Sequence, residues 1–145
     1  MKVYFYTLGC KVNQYETQEM IELFENAGHT IIYKSLGADI CVINSCTVTA
    51  ESVRKTRQTI RKLKKQNPDS IVILTGCASQ AEPHIINDLP EVDILMGTEA
   101  TPQLLMHLII LLKQNLFVTI ILSTKRVMLF QAQVFHASTV IREHF

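Results

Sequence analysis

Polar and apolar positions follow two alternating patterns over the first hundred residues. Short apolar runs rich in β-branched or aromatic side chains are separated by longer stretches with helical spacing. Val3-Tyr4-Phe5-Tyr6 is the first run, and residues 2–7 are predicted as a strand. The next stretch repeats apolar residues at Met20, Leu23, Phe24 and Ala27, with Glu19, Glu22 and Glu25 off that stripe. Asn13 and Glu16 at its start have the form of a capping box, and Gly28 suits the left-handed position that ends a helix. Residues 30–33 read as a short strand. Residues 39–44 (Asp-Ile-Cys-Val-Ile-Asn) read as another, apolar enough to be buried on both faces.

Thr49 is the predicted N-cap of a long helix reaching about Gln66, and Pro68 enforces its end. Ile71-Val72-Ile73-Leu74-Thr75 is a further strand of the buried kind, followed by a helix around residues 81–89 and a last strand near residues 92–96. Strands alternating with helices imply βαβ crossovers. The fold class is therefore α/β, with a mostly parallel sheet of about five strands and helices on both faces. Pattern alone leaves the strand order open.

A different texture begins near residue 100. Thr98 or Thr101 could cap a helix with Pro102 at its first position, and Leu104 to Leu112 is almost wholly apolar. Extended to Leu122 the stretch approaches the length of a membrane span, but Lys113-Gln114-Asn115 interrupts it. A central Lys alone opposes insertion by roughly 2.5–3.5 kcal/mol, so a membrane span is not favoured. Residues 116–145 keep neither a period of 2 nor one of 3.6. The tail from 101 to 145 is expected to be an irregular or helical apolar appendage, divided from a 1–100 domain.

Composition sharpens that division. All charged residues except Lys113, Lys125, Arg126, Arg142 and Glu143 lie in the first hundred. The net charge of +1 over 145 residues gives no global field toward nucleic acid or membrane. Met1-Lys2 leads directly into a strand without a leader pattern, which points to a cytoplasmic protein with reduced thiols. The four cysteines are Cys10, Cys41, Cys46 and Cys77, and no two of them form a CxxC pair.

In a parallel sheet the strand C-termini share one edge, where ligand sites form. Cys10, Cys46 and Cys77 each follow a predicted strand end, after Leu8-Gly9, Asn44-Ser45 and Thr75-Gly76. Helix N-termini beside them favour thiolate. A single cysteine in such a turn is most simply a small packed residue, whereas three in matching turns suggest an iron–sulfur cluster or zinc. No histidine offers itself as a fourth zinc ligand. Cys41 lies mid-strand, roughly 16 Å from the edge at about 3.3 Å per residue, and is expected to be a buried hydrophobe. The helix from Thr49 carries Arg54, Lys55, Arg57, Arg61, Lys62, Lys64 and Lys65. Its plainest reading is a solvated face that complements the helix dipole, with contact to RNA phosphates as the alternative.

These motifs resemble those of a known family. Leu8-Gly9-Cys10-x-x-Asn13, Asn44-Ser45-Cys46-Thr47-Val48 and Thr75-Gly76-Cys77 resemble the three cysteine motifs of the N-terminal domain of radical-SAM methylthiotransferases. The fuller Thr7–Thr17 segment looks most like the branch acting on tRNA threonylcarbamoyladenosine. The resemblance covers residues 1 to about 100. It implies that Cys10, Cys46 and Cys77 hold an auxiliary [4Fe–4S] cluster, and that Asn13, Asn44 and Thr47 shape the loops. In the full-length family that cluster serves sulfur transfer to tRNA, while a second cluster cleaves S-adenosylmethionine.

The departure from the family is equally plain. No cysteine follows Cys77, so the CxxxCxxC motif of the radical-SAM domain is missing, and the tail does not resemble the family's continuation. A truncated or out-of-frame tail is the expectation, and the chain alone is not expected to catalyse methylthiolation or to bind tRNA strongly. The alternative is a non-enzymatic α/β module holding a nucleotide or zinc at the strand edge.

Overall fold

A computed structural model describes residues 1–46, 49–77, 89–97 and 127–129, the last three as backbone only. Among them are β1 (Lys2–Leu8), α1 (Lys11–Asn26), β2 (Thr30–Ile32), β3 (Ile40–Ser45), α2 (Ala50–Gln66), β4 (Ile71–Thr75), β5 (Ile94–Met96) and β6 (Val127–Leu129). All neighbouring strands are parallel, in the order β2-β1-β3-β4-β5-β6. The α/β class and the five strands expected from the first hundred residues are present. The sixth, paired to β5, lies in a stretch to which pattern assigned no fold. The helix expected around 81–89 and the cap at Thr98, Thr101 or Pro102 lie outside the described residues. So does the apolar Leu104–Leu122 stretch; no described helix is long and apolar enough to cross a membrane.

The chain leaves β1 in one direction to form β2 and returns to β1's other side as β3. A doubly wound sheet opens a crevice at such a reversal, outside the strand C-termini. The sheet separates two apolar cores. Val3, Ile40, Val42 and Ile73 pack with Met20 and Phe24 of α1. Cys41, Ile43, Val72 and Leu74 pack with Ile60 and Leu63 of α2. All of β3 is buried, which agrees with its near-continuous apolar sequence.

Helix α2 starts at its expected cap, where the Thr49 hydroxyl accepts from the Ser52 N–H at 3.1 Å. Helix α1 differs at its start. It begins at Lys11 with Cys10 as N-cap, and Asn13 is the third helical residue, closing a box with Cys10 rather than with Glu16. The polar type of Asn13 fits a cap, but its amide is 1% exposed and faces β3, which moves the cap one turn upstream. The far end is as expected: Gly28 has φ +84°, with Gly28 N–H on Glu25 O (2.9 Å) and His29 N–H on Phe24 O (3.0 Å).

Candidate metal centre

Near the C-terminal edge the sheet's α1 side changes from apolar to polar within one row. Thr7 pairs with Asn44, and Asn44 with Thr75, one step above the apolar rows. Cys46 comes two residues after Asn44 and Cys77 two after Thr75, while Cys10 comes three after Thr7, with Gly9 as the added residue. The three cysteine turns therefore leave the sheet from adjacent strands. Cys46 N–H continues the ladder by donating to Leu8 O at 2.9 Å. A Cβ on Gly9 would lie 3.1 Å from Cys46 Cβ, so the first two turns are in contact.

Buried hydrogen bonds tie these turns to α1. Asn13 Nδ2 donates to Asn44 Oδ1 at 3.0 Å. Asn44 Nδ2 faces Asn13 O (3.0 Å), Glu16 Oε2 (3.2 Å) and Thr17 Oγ1 (3.3 Å). Thr17 donates to Asn13 O at 2.8 Å and meets the Thr7 hydroxyl at 2.8 Å. Unpaired, such buried groups would each cost about 1–3 kcal/mol; paired, they fix one another's rotamers. Asn13, Thr17, Met20 and Phe24 form the buried side of α1, so its core stripe continues into polar residues beneath the cysteines.

The thiols are not yet arranged symmetrically. Cys46 and Cys77 are close enough for the Cys46 side chain to act on the Cys77 thiol. Cys10 Sγ instead donates to Asn13 Oδ1 at 3.4 Å, and Cys10 N–H donates to the same oxygen at 3.2 Å. Among the described residues no group of three His, Cys, Asp or Glu side chains is placed to hold a metal ion. The three turns leave adjacent strands, and Cys10 Sγ is engaged by its own helix cap. All four cysteines are free thiols.

Their electrostatics differ. The helix N–H groups of Asn13 and Val12 pull the Cys10 thiol below its ordinary pKa. Partial burial and the neighbouring Cys46 sulfur push Cys77 up, and the Glu16 carboxylate acts in the same direction on both. Cys41 is fully buried and pushed up by that burial, with Sγ 3.9 Å from Ser70 Oγ. Thiolate is the reactive form, so iodoacetamide should modify Cys10 at a lower pH than Cys77, and Cys41 last. Peptide mapping after timed alkylation of the metal-free protein checks this order; Cys77 labelled before Cys10 would contradict it.

His29 is buried beyond the opposite end of α1, against Phe24 with ring centroids 5.5 Å apart, and is no candidate ligand. The other histidines and Thr47 lie outside the described residues. On α2, Arg54 and Lys55 pair with Glu51, Arg61 with Glu91, and Lys64 with Asp93. Much of that helix's charge thus serves its own fold. Sequence reasoning missed Glu16 and Thr17 as neighbours of the thiols; the i, i+4 spacing of Asn13 and Thr17, continuing the Met20–Phe24 stripe, was the available signal.

The model of the family described as "Uncharacterized protein family UPF0004" matches residues 2–97. The threonylcarbamoyladenosine tRNA methylthiotransferase MtaB of Bacillus subtilis (strain 168) is 46% identical over 103 residues, which is 71% of this chain and 23% of that protein. The enzyme of the same name from Aquifex aeolicus (strain VF5) is 41% identical over 105 residues, 72% of this chain and 26% of the relative. A tRNA-2-methylthio-N(6)-dimethylallyladenosine synthase of Desulfosudis oleivorans is 31% identical over 111 residues, 74% of this chain and 24% of the relative. The chain spans about a quarter of the length of these curated relatives.

Proposed function

The chain belongs to the UPF0004 family, and on that footing we propose that residues 1–100 bind an iron–sulfur cluster as the N-terminal unit of a tRNA methylthiotransferase. Cys10, Cys46 and Cys77 are its ligands. The observation that carries the reading is the emergence of these three cysteines from the adjacent strands β1, β3 and β4 on one sheet edge. The donor set fits: soft thiolates suit iron–sulfur clusters, and an unmodified thiol stands at every position required.

Held by these three cysteines alone, a [4Fe–4S] cluster would supply an iron without a protein thiolate. The chain's own residues prepare the ligand turns. The amide ends of Asn13 and Asn44 fix the Cys10 turn, and its helix N–H groups stabilise the thiolate that a metal needs. To join the other two, Cys10 Sγ would have to give up its contact with Asn13 Oδ1. Threonylcarbamoyladenosine in tRNA is the proposed substrate of the full-length protein, by the names of the relatives that share most of this segment. This chain has no CxxxCxxC sequence, so cleavage of S-adenosylmethionine is not assigned to it, and the tail beyond residue 100 is proposed as divergent from the family.

Anaerobic reconstitution with iron and sulfide tests the reading. The expected product has four irons and four labile sulfides per chain with a broad visible thiolate-to-iron absorbance. Zinc in the protein as isolated, with no cluster uptake, would instead favour a non-enzymatic zinc or nucleotide module.

A further inference from the structure

One buried side chain touches all three cysteine turns. Asn44 is 1% exposed at the end of β3. Toward the first turn, its Oδ1 accepts from Asn13 Nδ2 at 3.0 Å and its Nδ2 donates to Asn13 O at 3.0 Å. This reciprocal pair sets the rotamer of Asn13, whose own Oδ1 holds Cys10 N–H. Toward the third turn, a Cβ placed on Gly76 would lie 2.5 Å from Asn44 Oδ1, so the backbone preceding Cys77 rests directly on the amide. The second turn is its own strand, with Cys46 two residues on. We propose that Asn44 is the positioning residue of the three-thiol site, a single amide that sets the relative placement of the Cys10, Cys46 and Cys77 turns.

An amide suits this position because it offers a donor and an acceptor on one carbon, two bonds apart, and the turn at Asn13 presents both complements. A carboxylate would keep the acceptor for Asn13 Nδ2 but would face Asn13 O and the Glu16 carboxylate without a donor. An apolar side chain of similar volume would leave Asn13 with a buried unpaired amide, free to rotate outward and release Cys10 N–H. In either case Cys46 stays where its strand puts it and Cys10 drifts. Partners that orient metal ligands are typically worth about 10–100-fold in metal affinity.

The inference rests on the reading of the three cysteines as one ligand set, and its test must separate the two. Trivalent arsenic binds up to three converging thiolates without iron or sulfide. Arsenite titration of the metal-free chain, followed by counting the remaining reactive thiols, therefore reports convergence directly. Asn67 supplies the control. It is a buried amide at the opposite sheet edge, accepting from Gly37 N–H (2.8 Å) and donating to Ser35 O (2.8 Å).

The wild-type chain should engage Cys10, Cys46 and Cys77 together. Asn44→Ala should engage two thiols and bind arsenite at least about tenfold more weakly. Asn67→Ala should melt lower as well but keep three-thiol capture. Asn44→Asp, nearly isosteric, should behave as Asn44→Ala and decides the matter if the alanine variant does not fold. Full three-thiol capture by the Asn44 variants, or an equal loss in Asn67→Ala, overturns the proposal. A wild-type chain that engages only two thiols removes the ligand-set reading and this inference with it. Three-thiol capture without cluster uptake removes the cluster alone.

Discussion

Replacing Cys46 by alanine is expected to abolish cluster uptake, and Cys10→Ala and Cys77→Ala are each expected to do the same or nearly so. Each substitution removes a whole thiolate from a three-thiolate set. The loss should exceed the about 10–100-fold in affinity that follows from disturbing a ligand's hydrogen-bond partner. Cys46 should be the most severe, because it extends the ladder between β1 and β3 and is itself only 9% exposed, so its place in the sheet edge is the most fixed. Cys41→Ala provides the contrast. That thiol lies in the row Tyr4–Cys41–Val72, three rows from the Thr7–Asn44–Thr75 row and packed in the α2-side core. Its removal should cost about 1 kcal/mol of stability and leave the cluster intact. Iron and sulfide content after parallel reconstitution of the four variants is the measurement. A chain that loses its cluster with Cys41→Ala but keeps it with Cys77→Ala has a different ligand set.

The contrast between Cys41 and Cys46 could be read from the sequence because a strand converts residue number into distance. Five residues separate them, and in an extended strand that is most of a sheet's depth. The strands themselves were legible for a related reason: β3 and β4 are short, β-branched and apolar on both faces, a composition that only a covered parallel sheet accommodates. The order of the strands was not legible. Either direction of departure from β1 leaves the same pattern of apolar residues, and the choice is made by which crossover helix covers which face.

The polar layer under the thiols was hidden for a different reason. A polar residue at a helix start is ordinarily a cap, and periodicity gave Thr7 and Thr17 no role, whereas hydrogen bonds among Asn13, Thr17, Thr7 and Asn44 allow all of them to be at least partly buried. Asn13 therefore passed for a helix cap, its usual place on an exposed turn. Two regularities pointed the other way. Asn13 and Thr17 continue the spacing of Met20 and Phe24, and Thr7, Asn44 and Thr75 occupy equivalent places just before the three cysteines. A row of small polar side chains at the end of apolar strands is what a ligand-bearing edge needs: enough hydrogen bonding to hold its turns, and no bulk to fill the crevice.

The closeness of that packing gives the other large expectation, Gly76→Ala. Gly76 has φ +101°, and a Cβ there would run into Ser45 O and stand 2.5 Å from Asn44 Oδ1 and 2.9 Å from Ser45 N. Two of those atoms are backbone at the end of β3, held between β1 and β4 by the pairs Leu8↔Ser45 and Asn44↔Thr75. They have nowhere to move without breaking the sheet edge. The strained φ contributes about 1–3 kcal/mol and the overpacking about 1–3 kcal/mol more, together a substantial share of a domain's usual 5–15 kcal/mol. Gly28→Ala separates the two contributions. Gly28 has a similar φ of +84°, but a Cβ there meets nothing within 4 Å, so its substitution should carry the backbone cost alone. In urea denaturation Gly76→Ala should therefore lose clearly more stability than Gly28→Ala, and it should also take up less cluster, since the displaced atoms include the amide that holds the Cys10 turn. Equal losses in the two variants would mean that the turn before Cys77 does not press on β3, and the close assembly of the three cysteine turns would have to be redrawn.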